Sequence, residues 1–212
     1  MNAPQQTADW LKARAGHATA SRFKDVLAKI KTGEAATRAK YRIQLVTERL
    51  TGLPVEGFKN NAMAWGTERE PEARMAYEVE TGQIVQEFGF ILHPDVQWVG
   101  ASPDGFVGAD GMVEIKCPYE STVHVMTLTD GMPTEHTAQI QGNLWVNGRK
   151  WCDFVSYDPR MPEGLQVYRQ RIERDDKYIA KLAEEIQDFL LGVSKVHQQL
   201  MEKADGIRAT RQ

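Results

Sequence analysis

The chain has 212 residues, of which 42% are hydrophobic, and a formal net charge of −3 at pH 7. This length supports one substantial core, and no internal repeat divides the sequence, so we expect a single domain over residues 1–212. The absence of a run of about 18 apolar residues and of a signal-like start predicts a cytoplasmic protein outside the membrane. Cys117 and Cys152 are too few for a disulfide framework or a four-cysteine metal site.

The charge is unevenly distributed along the chain. Residues 12–42 contain nine Lys or Arg residues and two acids, a net +7, so the remaining residues carry −10. One basic surface on an otherwise acidic protein is typical of a protein that binds a polyanion such as DNA. A solvated, lysine-rich helix face would have the same composition.

The first part of the sequence predicts helices and the second part predicts strands. We expect helices at 19–31, 35–51 and about 67–81, the last two ended by Gly52 and Gly82. Five segments rich in β-branched and aromatic residues predict strands, at 84–92, 97–101, 112–117, 151–157 and 165–172. Helical segments at about 121–129 and 135–146 separate the third strand from the fourth. This order predicts an α/β fold with a central mixed β-sheet flanked by helices.

A long final helix is predicted over about 175–202, because apolar residues recur there at spacings of three and four. The members of this stripe are Ile179, Leu182, Ile186, Phe189, Val193, Val196 and Leu200. The stripe indicates a helix that packs on its own domain, with subunit association or a partner groove as the alternative.

The segment Ser102-Pro103-Asp104-Gly105 is followed, ten residues after Asp104, by Glu114-Ile115-Lys116. Glycines between the two segments permit a tight hairpin that would bring Asp104 beside Glu114 at an edge of the sheet. On a strand, Glu114 and Lys116 share one face while Ile115 turns into the core. Carboxylates that hold Mg²⁺ neutralise a phosphodiester and acidify a water, so the pattern predicts a phosphodiesterase site. An ordinary turn and a cross-strand ion pair are the alternative.

Two further residues are candidates for the same site. Glu70 shares a helical stripe with Ala73 and Tyr77 and is expected to face inward, although Thr67 and Glu70 also fit a capping box. Gln139 is expected on the inner face of a helix, where its amide would orient a water or a phosphate oxygen. A structural hydrogen bond is the alternative for Gln139.

Arg14 and Ser21 flank the start of the first predicted long helix, where free N–H groups favour an anion such as a terminal phosphate. A helix cap beside a surface arginine is the alternative. The five histidines have no metal-ligand spacing, so no role is assigned to them.

These residues carry a family resemblance. Asp104 with Glu114-Ile115-Lys116 resembles the PD-(D/E)xK nuclease motif, and residues 10–190 resemble the family of phage lambda exonuclease and the YqaJ-type viral recombinases. The segments that carry the resemblance are Trp10…Arg14-Ala15-Gly16, Thr19-Ala20-Ser21, Ala64-Trp65-Gly66…Glu70, Ser102-Pro103-Asp104-Gly105, Glu114-Ile115-Lys116-Cys117-Pro118, Ala138-Gln139-Ile140-Gln141, Tyr157-Asp158-Pro159-Arg160-Met161 and Ile172-Glu173-Arg174-Asp175.

The resemblance implies a PD-(D/E)xK restriction-endonuclease-like fold with a basic helical part (about 10–54), a catalytic core (about 62–174) and a C-terminal helix (about 175–202). It implies a 5′-to-3′ exonuclease that degrades one strand of linear double-stranded DNA to mononucleotides and leaves a 3′ tail. A ring-shaped homotrimer around DNA, a single-strand annealing recombinase as partner, and a phage or prophage origin are implied as well.

The resemblance also implies roles for individual residues. Asp104, Glu114 and the carbonyl of Ile115 would bind Mg²⁺, with Mn²⁺ as a substitute, and Glu70 would help a second ion. Lys116 would position or deprotonate the attacking water, and Gln139 would assist.

Arg14 and Ser21 would hold the 5′-phosphate, and Met63 would wedge between the strands at the duplex end, with a core methionine as the alternative. The sequence departs from the family at Pro94, where a relative has an acid, and at Thr122, where the family can have an arginine.

Two other functions are compatible with the same residues. One is a nuclease of this fold that cuts DNA internally. The other is a non-catalytic DNA-end-binding recombination scaffold, which the intact Asp104, Glu114 and Lys116 disfavour.

Overall fold

The computed structural model describes residues 4–55, 57 and 60–209, so both ends of the expected domain lie outside the described residues. The α-helices of the described part are α1 (Ala8–Arg14), α2 (Phe23–Val26), α3 (Ala36–Thr51), α4 (Asn61–Thr81), α5 (Ser121–Asp130), α6 (Thr137–Asn147) and α7 (Asp176–Ala209). Short 3₁₀ turns at Ala20–Arg22 and Thr134–His136 precede α2 and α6.

The strands of the described part form two sheets. The strands are β1 (Ala18–Thr19), β2 (Val85–Gln86), β3 (Ile91–Leu92), β4 (Val99–Ala101), β5 (Gly105–Val107), β6 (Gly111–Lys116), β7 (Trp151–Tyr157) and β8 (Val167–Glu173). The larger sheet has the order β2-β5-β6-β7-β8, and the smaller has the order β1-β4-β3. Parallel pairs, β6 with β7 and β1 with β4, occur beside antiparallel ones. The predicted mixed α/β fold is therefore confirmed.

Strand β6 is the centre of the larger sheet and is covered on both faces. Its Val113 and Ile115 pack with Tyr77 of α4. Met112 packs on the opposite face with Ile140 of α6. The expected position of the site at a sheet edge is wrong, because β6 lies between β5 and β7.

The predicted helix at 19–31 is confirmed only over Ala20–Val26, as a 3₁₀ turn followed by α2. Thr19 belongs to β1 instead. The backbone N–H of Thr19 donates to the buried Tyr41 hydroxyl at 3.0 Å, which stabilises the extended conformation. Leu27 caps α2 and packs against the core, whereas Ile30 is exposed, so no core contact favours helix beyond Leu27.

Helix α4 begins six residues before the predicted start. The side chain of Asn60 accepts a hydrogen bond from the Met63 N–H and caps the helix. Thr67 consequently lies inside α4, and the capping-box interpretation of Thr67 and Glu70 is wrong.

The segment 84–92 is two short strands in different sheets, and the single predicted strand is wrong. Strand β2 pairs with β5, whereas β3 pairs with β4. Strand β5 itself lies in the predicted hairpin but was not predicted as a strand. A Cβ at Gly105 would lie 2.1 Å from Cγ1 of Val85, so the close approach of β2 to β5 requires glycine.

The apolar stripe of α7 packs on its own domain, as predicted. Its buried members between Leu182 and Val193 cluster with Tyr41 and Leu45 of α3, and Ile179 packs with Ile140 of α6. Beyond Val193 the stripe becomes exposed, and Leu200 is 42% exposed. In the part of the chain that the structure describes, no helix has the length and apolar character needed to cross a bilayer.

We predict that Phe189→Ala lowers the free energy of unfolding by about 3–5 kcal/mol, because it empties a buried site. The Phe189 ring is 2% exposed and stacks on Tyr41 with 5.5 Å between ring centroids. Leu191 is on the same helix and is 71% exposed, so Leu191→Ala should lower the free energy of unfolding by about 0.5 kcal/mol or less. Urea denaturation of both variants measures the difference, and equal losses would contradict the packing of α7.

Candidate active site

The hairpin of β5 and β6 places Asp104 beside the strand that carries Glu114. Phe106 pairs with Met112 and Gly105 with Val113 in an antiparallel register. The Asp104 carboxylate accepts a hydrogen bond from the Ile115 N–H at 2.6 Å. The predicted approach of the two halves of the motif is confirmed.

Glu114 is buried and accepts hydrogen bonds from three side chains. Lys116 Nζ and Gln139 Nε2 each lie 2.5 Å from its Oε1. Asn143 Nδ2 lies 3.0 Å from Oε2. Gln139 therefore faces the site as expected, and Asn143, one helical turn later on α6, is a further site residue that the sequence reasoning missed. Gln139 and Asn143 are four residues apart on one helix, and this spacing is the sequence signal that could have identified Asn143.

Glu70 lies on α4 beside the same site and is partly buried. Arg74 Nη2 donates to its Oε1 at 3.1 Å, and the Arg74 guanidinium also contacts Glu87. Arg74 was not predicted as a neighbour of the site, although its i+4 position relative to Glu70 is the usual spacing of a helical ion pair.

One cavity of about 400 Å³ brings all of the predicted site residues together. Its lining contains side chains from α1, α4, β6, α6 and the loop before β5. They are Gln5, Trp10, Arg14, Thr19, Ser21, Met63, Gly66, Glu70, Ser102, Asp104, Glu114, Ile115, Lys116, Cys117 and Gln139.

The clustered carboxylates of the cavity repel one another, and bound positive charge would stabilise them. Burial raises the pKa of Asp104 well above its usual range, and the neighbouring Glu114 and Glu70 raise it further. Burial lowers the pKa of Lys116, but Glu114 and Asp104 more than offset this and bring it to about 12. Lys116 is therefore cationic at neutral pH in this arrangement.

The oxygen donors fit Mg²⁺, which binds one or two carboxylates and retains several waters. Asp104, Glu114 and the Ile115 carbonyl provide such donors in the cavity. Among the described residues, however, no three His, Cys, Asp or Glu side chains are already grouped as a metal site. Glu70 is held by Arg74, so its carboxylate would need to turn to join a second ion.

Arg14 and Ser21 lie beside each other in the lining of the same cavity. Arg14 Nη2 is 3.3 Å from Ser21 Oγ and 3.4 Å from Thr19 Oγ1, and the guanidinium lies 4.0 Å from the Trp10 ring centroid. The expected long helix is absent here, since Arg14 ends α1 and Ser21 is in the 3₁₀ turn before the four-residue α2. A guanidinium with two hydroxyls is a set of donors that suits an anion.

Met63 lies in the first turn of α4 and is 56% exposed, so it is not a core methionine. Pro94 lines a separate cavity with Asp95 and His93. Thr122 lies exposed on α5. Neither position of family departure lines the cavity of the site.

The basic segment 12–42 is partly neutralised by acids of the same chain. Arg22 pairs with Asp25, and Arg42 pairs with Glu34. Lys29 and Arg38 pair with acids of α7, at Glu185 and Asp188. Within the described ranges, the bases of this segment without a salt bridge are Lys12, Arg14, Lys24, Lys31 and Lys40. The basic surface is smaller than the sequence count indicates.

Known proteins of similar sequence and structure place the chain in a family. Two crystal structures of LHK-Exo from Laribacter hongkongensis, an alkaline exonuclease, are 44% identical to this chain and cover 95% of it and 100% of their own length. Their TM-scores are 0.88, for the complex with dAMP, and 0.86. A phage-related exonuclease from Haemophilus somnus, 15% identical with a TM-score of 0.67, shares the fold over 89% of this chain and 96% of that one.

Curated sequences match over shorter parts. An uncharacterized Escherichia coli K12 protein named ExoD is 36% identical over 62 residues, 29% of this chain and 69% of that protein. An uncharacterized mimivirus protein is 25% identical over 165 residues, 71% of this chain, and the chain spans only 28% of its length. The model of the YqaJ-like viral recombinase domain matches residues 9–150. As the resemblance predicted, the chain belongs to the family of YqaJ-like viral recombinase domains.

Proposed function

We propose that this protein is an Mg²⁺-dependent 5′-to-3′ exonuclease. It degrades one strand of linear double-stranded DNA to mononucleotides and leaves a 3′ tail for recombination by strand annealing. The observation that carries the proposal is one cavity whose lining combines clustered carboxylates with the Arg14–Ser21 pair. The family, and the 44% identical alkaline exonuclease crystallised with the mononucleotide dAMP, support a nuclease in recombination.

The carboxylates provide the hydrolytic part of the cavity. Asp104, Glu114 and the Ile115 carbonyl would hold the first Mg²⁺, and Glu70 would bind a second after turning from Arg74. Bound Mg²⁺ would neutralise the phosphodiester and acidify the attacking water.

Lys116 and Gln139 act on the reacting groups beside these ligands. Lys116 Nζ lies 2.5 Å from Glu114 Oε1, where it would donate a hydrogen bond to the attacking water and orient it. The surrounding acids raise the pKa of Lys116 without bound ions, so general-base duty would require Mg²⁺ to offset those acids and lower it. Gln139 contacts both Lys116 and Glu114 and fixes their positions.

The Arg14–Ser21 pair would define the substrate as a DNA end. Arg14 and Ser21 would bind the 5′-phosphate through charge-assisted hydrogen bonds. Met63, exposed at the cavity rim, would insert at the terminal base pair and separate the strands. A 5′-phosphorylated end would thus place its first phosphodiester at the carboxylates.

Linear 5′-phosphorylated duplex should be degraded with Mg²⁺, whereas covalently closed circular duplex should persist, because the circle offers no 5′-phosphate to Arg14. Gel analysis of both substrates, with Mn²⁺ as a second ion, measures this. Cleavage of the closed circle would instead favour an endonuclease of the same fold.

A matched pair of hairpin variants tests whether the assay reports this site. Asp104→Asn should lower the rate about a thousandfold or more, since a ligand of the ion is lost. Asp110→Asn should have little effect, because Asp110 lies at the hairpin turn and pairs with Lys150. DNA-end binding without any cleavage by the wild type would favour the scaffold interpretation, and full activity of Asp104→Asn would contradict the site.

Arg14→Gln should reduce the preference for 5′-phosphorylated over 5′-hydroxyl ends by about 10- to 100-fold, the effect of losing a hydrogen bond between charged groups. Initial rates on the two ends give the preference. Lys12→Gln is the control, because Lys12 is exposed on the same helix and does not line the cavity. An unchanged preference in Arg14→Gln would assign the phosphate to another group.

We further propose a ring-shaped homotrimer around the DNA, with a single-strand annealing recombinase as partner. A closed ring would retain the duplex between cleavage steps and so make degradation processive. Sedimentation equilibrium should give three times the mass of 23.9 kDa. A monomer at the concentrations used for catalysis would contradict the ring.

A further inference from the structure

The segment Asp158–Arg160 after β7 has no role in the site described above, yet it connects three elements around it. Asp158 is completely buried. Arg160 donates through Nε to Asp158 Oδ1 at 2.8 Å and through Nη2 to Oδ2 at 2.9 Å. This forked ion pair fixes the plane and position of the guanidinium.

The remaining donors of Arg160 reach the backbone that leaves β6. Nη1 donates to the Tyr119 carbonyl at 3.0 Å, and Nη2 donates to the Pro118 carbonyl at 3.2 Å. Pro118 is two residues after Lys116, so these bonds hold the end of the strand that carries the carboxylate and the lysine.

The face of the same guanidinium covers Trp65 of α4, with Cζ 4.5 Å from the ring centroid. Trp65 precedes Gly66, which lines the cavity and is next to the end of β6, since an added Cβ would be in ordinary van der Waals contact, at 4.0 Å, with the Cys117 carbonyl oxygen. Arg160 therefore clamps α4 against the end of β6, where the helix and the strand meet at the cavity.

The ligands differ in how they depend on this clamp. Asp104 is held by the hairpin, and Glu114 is held by α6 and Lys116. Glu70 is the one proposed ligand on α4, five residues after Trp65. A small displacement of α4 would move Glu70 relative to the other two and leave their mutual geometry intact.

We propose that Arg160 is a positioning residue that fixes α4, and thereby Glu70, for the second metal ion. This inference rests on the proposed function for the identity of the ions. It predicts that Arg160 affects the binding of the second ion and not that of the first.

Arg160→Lys keeps the charge but cannot form the fork, both carbonyl bonds and the ring contact together. Mn²⁺ binding, followed by the electron paramagnetic resonance signal of free Mn²⁺ without DNA, should show two sites in the wild type. In Arg160→Lys the affinity of the weaker site for Mn²⁺ should fall about tenfold or more, as is usual when a residue that orients a metal ligand is replaced. The affinity of the tighter site should be unchanged.

Single-turnover cleavage of linear duplex provides the second measurement. The Mg²⁺ concentration for half-maximal rate should rise by a similar factor in Arg160→Lys, while binding of the DNA end in Ca²⁺ is unchanged. Trp65→Leu removes the α4 contact and retains the pair with Asp158, so it should have the same selective effect. If Arg160→Lys does not fold, Trp65→Leu provides the test of the inference.

Arg149 is a matched control at the far end of β6. It donates to the carbonyls of Gly108 and Gly111 and covers the Phe106 ring at 3.8 Å. Arg149→Lys thus loses the same kinds of contact away from the cavity and should bind both ions like the wild type.

Three results would overturn the inference: a wild type with a single Mn²⁺ site, wild-type binding of both ions by Arg160→Lys and Trp65→Leu, or an equal loss in Arg149→Lys. Failure of the proposed function would be seen separately, as a wild type that binds Mn²⁺ but does not cleave linear duplex.

Discussion

The burial of the Glu114 carboxylate in the central strand is the constraint on which the site depends. A charge without contact to water is costly unless donors surround it. Glu114 obtains donors from its own strand through Lys116 and from α6 through Gln139 and Asn143. The same contacts that compensate the buried charge also fix the sheet, α6 and Lys116 relative to one another.

The two helices on β6 have different relations to the site. Helix α6 is joined to it by direct hydrogen bonds to Glu114. Helix α4 packs through apolar residues such as Ala73, the Tyr77 hydroxyl donates to Asp153 Oδ2 of β7 at 2.8 Å, and the Arg160 guanidinium covers Trp65 nearer the start of the helix. Glu70 is closer along α4 to the Arg160 contact than to the Tyr77 hydrogen bond.

The sequence predicted the placement of the site residues better than their surroundings. Asp104, Glu114 and Lys116 could be placed together because hairpin and strand periodicity act over a few residues. Strand β1 and the division of 84–92 could not be predicted, because two-residue strands are defined by distant partners such as Val99. The neutralisation of Lys29 and Arg38 likewise depends on α7, about 150 residues away in the chain.

That neutralisation determines how DNA binding would respond to salt. Each phosphate that a protein cation neutralises releases counterions. A plot of log affinity against log salt concentration therefore has a slope of about −0.9 per neutralised phosphate. If the nine bases of segment 12–42 all contacted phosphates, the slope from this segment would be about −8, whereas the five without salt bridges allow about −4.5. The intramolecular acids would therefore make DNA binding by this segment less sensitive to ionic strength than its nine bases imply.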